Sequence, residues 1–462
     1  MFSLGLVTGV VYFAGTVYWV GGVMATYGGL SWVVSALVSA LLVLYMAIYP
    51  GAFSCLLGLA VRRFGVAGVW MAPGIWVAAE YLRGWVGGGF PWVLLGASQV
   101  TALPVAQLAS VTGVYGLSLL VALVGTAAAV VVLTTRRAHR LGVAAVAAAL
   151  VLITVSGVFR IARSELTRTG QVVRVGLVQG NVPQDQKWDP AYRDVILRRY
   201  LELSRQALGA GAGLVIWPEA STPFFLDVEA AMARPIRELA AESRTPFLIG
   251  TDDFEATPGD APDHIYNSAV LVGPDGVSRE RYHKMLLVPF GEYVPLKDLL
   301  FFVSPLVEAV SDFTAGTDPL VFDVDGRRVS VSICYESVYP GLSRRFVAGG
   351  SQLLATITND AWFGRSSAAW QHFDQGALRA IEQGRYVVRA ANTGISGAVD
   401  PYGRVLRRTP LFEPAVITVD VRLLDHRTIY GYIGDVVAWA SLAVCGWLIV
   451  AVRPGRRRSA KD

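Results

Sequence analysis

The chain has 462 residues, of which 53% are hydrophobic and only 16% charged, and its mean hydropathy is +0.47. Soluble domains carry roughly 45–50% apolar and about 25% charged residues, and disordered chains are poorer still in apolar residues, so both a single soluble domain and a disordered chain are excluded. The net charge of +5 does not mark a nucleic-acid binder: residues 163–452 hold 28 bases against 33 acids, and the positive excess borders apolar segments, where it orients a chain in a membrane.

A bilayer crossing takes about 20 apolar helical residues. Candidate spans are 5–24, 31–50, 64–83, 115–134, 141–161 and 432–452, and the run 51–61 after Pro50 extends the second. Gly and Pro recur along 84–114, so that apolar stretch reads as interfacial or re-entrant rather than as a seventh span. No basic residue precedes Arg62, and a cleaved signal peptide is not expected. Basic clusters at Arg62–Arg63, at Arg136–Arg137 with Arg140, and at Arg453 with Arg456, Arg457 and Arg458 fall on one side of a six-span chain. The positive-inside rule makes that side the cytoplasm and puts the block between the fifth and sixth spans outside; Arg160 and Arg163 argue against this and the tail cluster outweighs them. The expected domains are 1–162, a transmembrane helical domain of about five spans; 163–430, the polar block; and 431–462, a last transmembrane helix with a basic tail.

Within the polar block, strands are expected at 172–179, 213–219, 246–252 and 266–272, with helices at 190–210 and near 228–243. Pro-Asp-Gly at 274–276 and Asp325-Gly326 signal hairpins, the second between 319–324 and 327–336. The run 353–360 precedes a long helix near 367–390, and strands at 396–400 and 415–420 close the block. This alternation predicts a layered α/β domain with helices outside a pair of sheets.

Four motifs put a reactive group after a strong strand. Ile216-Trp217-Pro218-Glu219 offers a carboxylate that serves as a base or merely as a loop acid. Tyr282-His283-Lys284, followed by Val288-Pro289-Phe290-Gly291-Glu292-Tyr293-Val294-Pro295, offers an ammonium that holds an oxyanion, lowers a neighbouring thiol's pKa, or is simply solvated; His283 reads as structural. Val331-Ser332-Ile333-Cys334-Tyr335-Glu336 delivers a thiol that is a small buried hydrophobe or a reactive group. Thr358-Asn359-Asp360-Ala361-Trp362-Phe363-Gly364 shapes a pocket wall or is plain turn chemistry; the residues alone do not choose. Of the three cysteines, Cys55 and Cys445 lie in apolar runs, which leaves no disulfide within the polar block and no zinc-ligand spacing. Glu takes a proton, Lys supplies positive charge and Cys forms a covalent intermediate.

These motifs together resemble apolipoprotein N-acyltransferase, the membrane branch of the nitrilase, or carbon–nitrogen hydrolase, superfamily. The resemblance covers nearly the whole chain, including Glu80-Tyr81-Leu82-Arg83-Gly84 and Phe90-Pro91-Trp92. It implies a polytopic α-helical membrane domain plus an extracytoplasmic α/β nitrilase-like αββα sandwich, over 163–430, in the bacterial cytoplasmic membrane with that domain on the periplasmic side. It implies a catalytic triad of Glu219, Lys284 and Cys334, with Trp188, Glu292, Tyr335 and Glu336 binding substrate or supporting the triad. The reaction implied is ping-pong acyl transfer through a Cys334 thioester, with a phospholipid as donor, a diacylated apolipoprotein as acceptor, no metal or cofactor, and a monomer as the working unit. The family usually has eight spans; six here place the start of this chain near the family's third. A long acyl chain cannot be drawn into water at about 0.8 kcal/mol per methylene, so 86–96 and 298–307 are candidates for its path, unless they are packing between domain and spans.

Two other readings use the same residues. A membrane-tethered nitrilase-like amidase keeps the triad and substitutes water for the amine, but a tether needs one helix, not six. A transporter with an external domain places ionisable groups within its spans; here only Glu80 and Arg83 qualify, both near a span end.

Overall fold

The computed structural model describes residues 1–27, 30–256, 263–289, 291–293 and 313–452. The segment 298–307 and the basic tail 453–462, both named above, lie outside the described residues.

The first expected span is two helices, α1 (Phe2–Thr16) and α2 (Trp19–Thr26), bent by 57°. Small residues let α1 approach α3 (Trp32–Phe64) closely: a Cβ on Gly9 would fall 2.8 Å from the Ala47 backbone. Helix α3 starts at a Ser31 cap and runs 33 residues through Pro50, so the expected extension over 51–61 is present. Gly65, at φ 61°, ends it. The chain then reverses through a 3₁₀ turn (Gly65–Met71) into the 12-residue α4 (Ala72–Arg83), which returns along α3 with Phe53 edge-on to Trp76. The expected continuous span 64–83 is therefore a turn and a short helix, because Gly65 supplies a reversal that no apolar-length count registers.

The Gly/Pro-rich stretch after α4 is broken into 3₁₀ turns and the short α5 (Leu103–Ala106), as its composition requires. Arg83 donates to the carbonyls of Phe90 and Trp92 at 2.8 Å each, and Glu80 accepts from Leu95 N at 2.7 Å. These two ionisable groups thus pin a loop. Helices α6 (Ala109–Leu133) and α7 (Arg137–Arg163) follow. Among the described residues three helical stretches are long and apolar enough to cross a membrane, 32–83 with its turn at Gly65, 109–133 and 137–167, or four if the bent pair counts as one.

The polar block forms two six-stranded sheets. One has the order β12-β1-β2-β3-β4-β5, from β1 (Val172–Gln179), β2 (Leu214–Ile216), β3 (Phe247–Glu255), β4 (His264–Val272), β5 (Ser278–His283) and β12 (Ala415–Arg422). The other has the order β11-β10-β9-β8-β7-β6, from β6 (Val321–Val324), β7 (Arg327–Ile333), β8 (Leu353–Thr358), β9 (Val387–Ala391), β10 (Gly397–Val399) and β11 (Val405–Arg408). Parallel centres, β1-β2-β3 and β7-β8-β9, are edged by antiparallel strands. At the β6–β7 turn Asp325 and Gly326 both take positive φ, 52° and 78°, which matches the right-handed strand twist.

Leu177, Ile216 and Leu248 of the first sheet share one core with Val331, Ile333 and Ile357 of the second. The far face of the first sheet packs Trp217 and Phe247 against α8 (Arg193–Gly209) and α9 (Ala230–Ser243). Helices α10 (Pro340–Ala348) and α11 (Ala368–Gln383) accompany the second sheet and complete an αββα sandwich. The helix expected over 367–390 stops at Gln383: Gly384 takes φ 60° as its cap, and the β-branched run after it becomes the inner strand β9. Two helices close the chain, α12 (Ile429–Ile433) and the apolar α13 (Val436–Val452), which packs Cys445 and Leu448 against Ile75 and Ala78 of α4.

Candidate active site

Buried strand β2 ends by delivering Trp217, Pro218 and Glu219 to the sheet's carboxyl edge. The neighbouring strand comes so close that a Cβ on Gly250 would lie 2.2 Å from the Pro218 carbonyl oxygen. Glu219 Oε1 accepts from Asn267 Nδ2 at 2.7 Å and from Lys284 Nζ at 3.1 Å, and Oε2 accepts from Asn359 N at 2.7 Å. Lys284, one residue past β5 and 1% exposed, also donates to Glu292 Oε1 at 2.7 Å. Asn267 Nδ2 bridges the same two carboxylates, reaching Glu292 at 2.9 Å. Burial opposes charge at Glu219, but the Lys284 ammonium and the hydrogen bond from Asn267 hold it below the usual carboxylate range. Burial likewise opposes charge at Lys284, and the two carboxylates hold it well above the usual lysine value. Both groups are ionised at neutral pH.

Strand β7 delivers Cys334 at φ 51°, a left-handed conformation that costs a residue with a Cβ about 1–3 kcal/mol and is held by its surroundings. Glu336 Oε2 accepts from Ile333 N at 2.7 Å, while Oε1 accepts from Tyr282 Oη at 2.8 Å and Met285 N at 2.7 Å. Glu336 therefore ties the Cys334 turn to the chain just past Lys284. The Cys334 carbonyl oxygen lies 3.0 Å from both Ser337 Oγ and His372 Nε2, and His372 Nδ1 lies 3.0 Å from Asp360 Oδ1, itself paired with Arg389 at 2.7 Å. Burial, and next the Glu219 charge, push the Cys334 thiol up; Lys284 only partly offsets them. Lys284 does act to lower the thiol's pKa, as expected, but burial and then the Glu219 charge outweigh it. The thiol therefore rests protonated, with the ionised Glu219 near enough for its charge to act on it, an arrangement that suits general-base activation.

Of the residues singled out in the sequence, Glu219, Lys284, Glu292, Cys334 and Glu336 converge. Tyr335 points its ring toward the broken stretch instead, stacked near Phe90 and Trp92 with centroids 6.1 and 6.3 Å away. Trp188 is half-exposed at the surface beside the buried Lys187. His283 stacks on Tyr266 and pairs with Ser268, outside the cluster. Sequence reasoning misses Lys187, Asp252, Asn267, His372 and Arg389, and leaves Asn359 and Asp360 undecided. Two of these carried a signal: Asn267 is a polar residue inside the apolar strand 266–272, and Asp252 ends the expected strand 246–252. Among the described residues no group of three or more His, Cys, Asp or Glu side chains is disposed to hold a metal ion.

Comparison with known proteins finds relatives over nearly the whole chain. A carbon-nitrogen hydrolase family model matches residues 174–429, and a model of the apolipoprotein N-acyltransferase N-terminal domain matches residues 1–127. An apolipoprotein N-acyltransferase of Geobacter metallireducens is 41% identical over 99% of this chain and 88% of its own length. One from Methylococcus capsulatus is 35% identical over the same shares. Among solved structures, an amidase of the nitrilase superfamily from Nesterenkonia aligns with 60% of this chain and 98% of its own, at 20% identity and a TM-score of 0.42.

Proposed function

The chain belongs to the apolipoprotein N-acyltransferase family, and we propose that it moves one fatty acyl chain from a membrane phospholipid to the free α-amine of a diacylglyceryl-cysteine at a lipoprotein N-terminus. The amidase reading retains only a distant structural relative.

In this reading Cys334 Sγ attacks the phospholipid ester while Glu219 takes the thiol proton. Lys284, and the backbone N–H of Tyr335, face the oxyanion of the tetrahedral intermediate. Its collapse passes the proton from Glu219 to the leaving lysophospholipid alkoxide and leaves a thioester. The acceptor amine then attacks that thioester, Glu219 again takes a proton, and the thiol is restored with formation of an amide. Glu292 and Asn267 fix the Lys284–Glu219 geometry; Glu336 positions the turn without touching the reacting atoms. Tyr335, with Phe90 and Trp92, borders an apolar route from the thiol toward the helices. The apolar helices are the membrane domain of 1–162 and 431–462, and the catalytic domain of 163–430 faces the periplasm of a bacterium from its cytoplasmic membrane, acting as a monomer.

The observation that carries this reading is the convergence of a buried thiol, carboxylate and ammonium from three strand ends, in a chain that matches both halves of the family. Intact-mass spectrometry of protein incubated with phospholipid vesicles is expected to show a mass increase of one fatty acyl group, removed by hydroxylamine and absent in Cys334→Ala. An acyl adduct that persists in the variant refutes Cys334 as the nucleophile.

A further inference from the structure

Strands β3 and β4 set Asp252 directly opposite Asn267, so their side chains leave the sheet on the same face, next to Glu219. Asn267 spends both amide hydrogens on the Glu219 and Glu292 carboxylates. Its Oδ1 is buried and without a hydrogen-bond partner among the described residues, and so is Asp252 Oδ1. Each unpaired buried acceptor costs about 1–3 kcal/mol, and two on paired positions call for a ligand that brings N–H groups. Beside them the buried Lys187 donates to the Glu219 carbonyl oxygen at 3.2 Å and acts on Asp252 through its charge.

The proposed acceptor is such a ligand. An α-amine has a pKa near 7.7–8.0 and reaches the enzyme largely as an ammonium. It must lose one proton before it can attack, and Glu219 is committed to the proton released during attack. Resting on the acyl-transfer reading above, we propose that Asp252 and Asn267 form the docking subsite for the acceptor's ammonium, and that the Asp252 carboxylate takes its first proton. The proton count then closes. Asp252 accepts one proton from the ammonium; the neutral amine attacks the thioester carbonyl; Glu219 accepts the second proton and returns it to the departing Cys334 sulfur; Asp252 releases its own to solvent. The charged groups around Asp252 suit this task. Burial raises its carboxyl to about 7, with Lys187 and Lys284 opposing and Glu219 and Glu292 adding to the rise.

The test uses the full-length enzyme, acylated on phospholipid vesicles and then given a synthetic diacylglyceryl-cysteine lipopeptide or its aminooxy analogue, which is uncharged at pH 7. In Asp252→Asn the ratio of single-turnover rates, amine over aminooxy acceptor, is expected to fall about tenfold or more, as loss of a proton acceptor implies. Asp252→Glu, which keeps the charge, is expected to retain part of the preference and serves as a second variant if the amide folds poorly. A ratio unchanged in Asp252→Asn, with acyl-enzyme formed, overturns this subsite alone. Absence of acyl-enzyme in the wild type overturns the acyl-transfer reading and the subsite with it.

Discussion

Glu219 and Cys334 impose opposite demands on each other. The carboxylate must stay ionised to act as a base, yet its charge is second only to burial in holding the thiol protonated. Glu219→Gln separates the two effects. Acyl-enzyme formation is expected to fall by about 10²–10⁴, the usual worth of a positioned base. Alkylation of Cys334 by a small reagent such as iodoacetamide is expected to rise at the same pH, because Lys284 then acts on the thiol without that opposing charge. An acylation rate unchanged by the substitution would remove Glu219 as the base, and an alkylation rate that does not rise would remove its charge as a hold on the thiol proton. This pairing of residues was partly legible in the sequence. Glu219, Lys284 and Cys334 each follow an apolar strand, and such a strand ends where a side chain can meet a substrate. Lys187 and His372 carry no such signal, for they reach the site from a loop and from a helix; Asp252 ends the expected strand 246–252 as Glu219 ends 213–219, but β3 runs on to Glu255 and only its register with β4 sets Asp252 beside Asn267.

At the scale of elements, the junction of β7 with the chain beyond β5 depends on Glu336, which accepts from Ile333 N, Met285 N and Tyr282 Oη. Glu336→Ala leaves these buried donors unpaired, and at about 1–3 kcal/mol for each the expected destabilisation is roughly 3 kcal/mol or more, read as a lowered Tm. Glu336→Gln, which keeps an acceptor, should lose less; equal losses would show that the hydrogen bonds do not hold the junction. Asp360 supplies a pH dependence. Arg389 and His372 overcome burial and hold its carboxyl well below the usual carboxylate range. A carboxyl depressed in the folded state adds stability above its unfolded pKa, about 3.9, and loses it as pH falls toward the folded value. Thermal melts between pH 3 and 6 should therefore show a steeper acid loss for the wild type than for Asp360→Asn; identical slopes would remove the linkage. Most strands were readable from β-branched runs and turn residues, down to the Asp325-Gly326 hairpin. Strand β9 was not, although Glu382-Gln383-Gly384-Arg385 breaks the apolar run: the expected helix continues through Gly384, whose φ of 60° ends the observed one three residues before Val387. The reversal at Gly65 was hidden for the same reason: hydropathy measures length in a membrane and carries no information about φ.

At the scale of the whole molecule, the helices and the sandwich are keyed together by polar contacts that a tethered hydrolase would not need. Val114 N donates to Glu382 Oε1 at 2.8 Å, at the break in α6, and Gln107 Nε2 donates to the Tyr402 carbonyl oxygen at 2.9 Å. Gln371 gathers three parts of the fold at one point. Its Oε1 accepts from Trp92 Nε1 at 2.8 Å and Trp19 Nε1 at 3.2 Å, and its Nε2 donates to the Thr16 carbonyl oxygen at 2.9 Å. Thr16 and Trp19 flank the α1–α2 bend, Trp92 lies in the loop pinned by Arg83, and the residue after Gln371 is His372, whose ring reaches the Cys334 carbonyl oxygen. The bend, the loop and the nucleophile's turn thus share one side chain. Gln371→Leu conserves bulk but leaves two largely buried indole N–H groups unpaired, an expected loss of about 2–6 kcal/mol. If the helices position the nucleophile through this contact, the variant should also form acyl-enzyme more slowly at temperatures well below its Tm, when the helices and sandwich are both folded. A lowered Tm with an unchanged acylation rate would confine Gln371 to stability and leave Cys334 positioned by the sandwich alone.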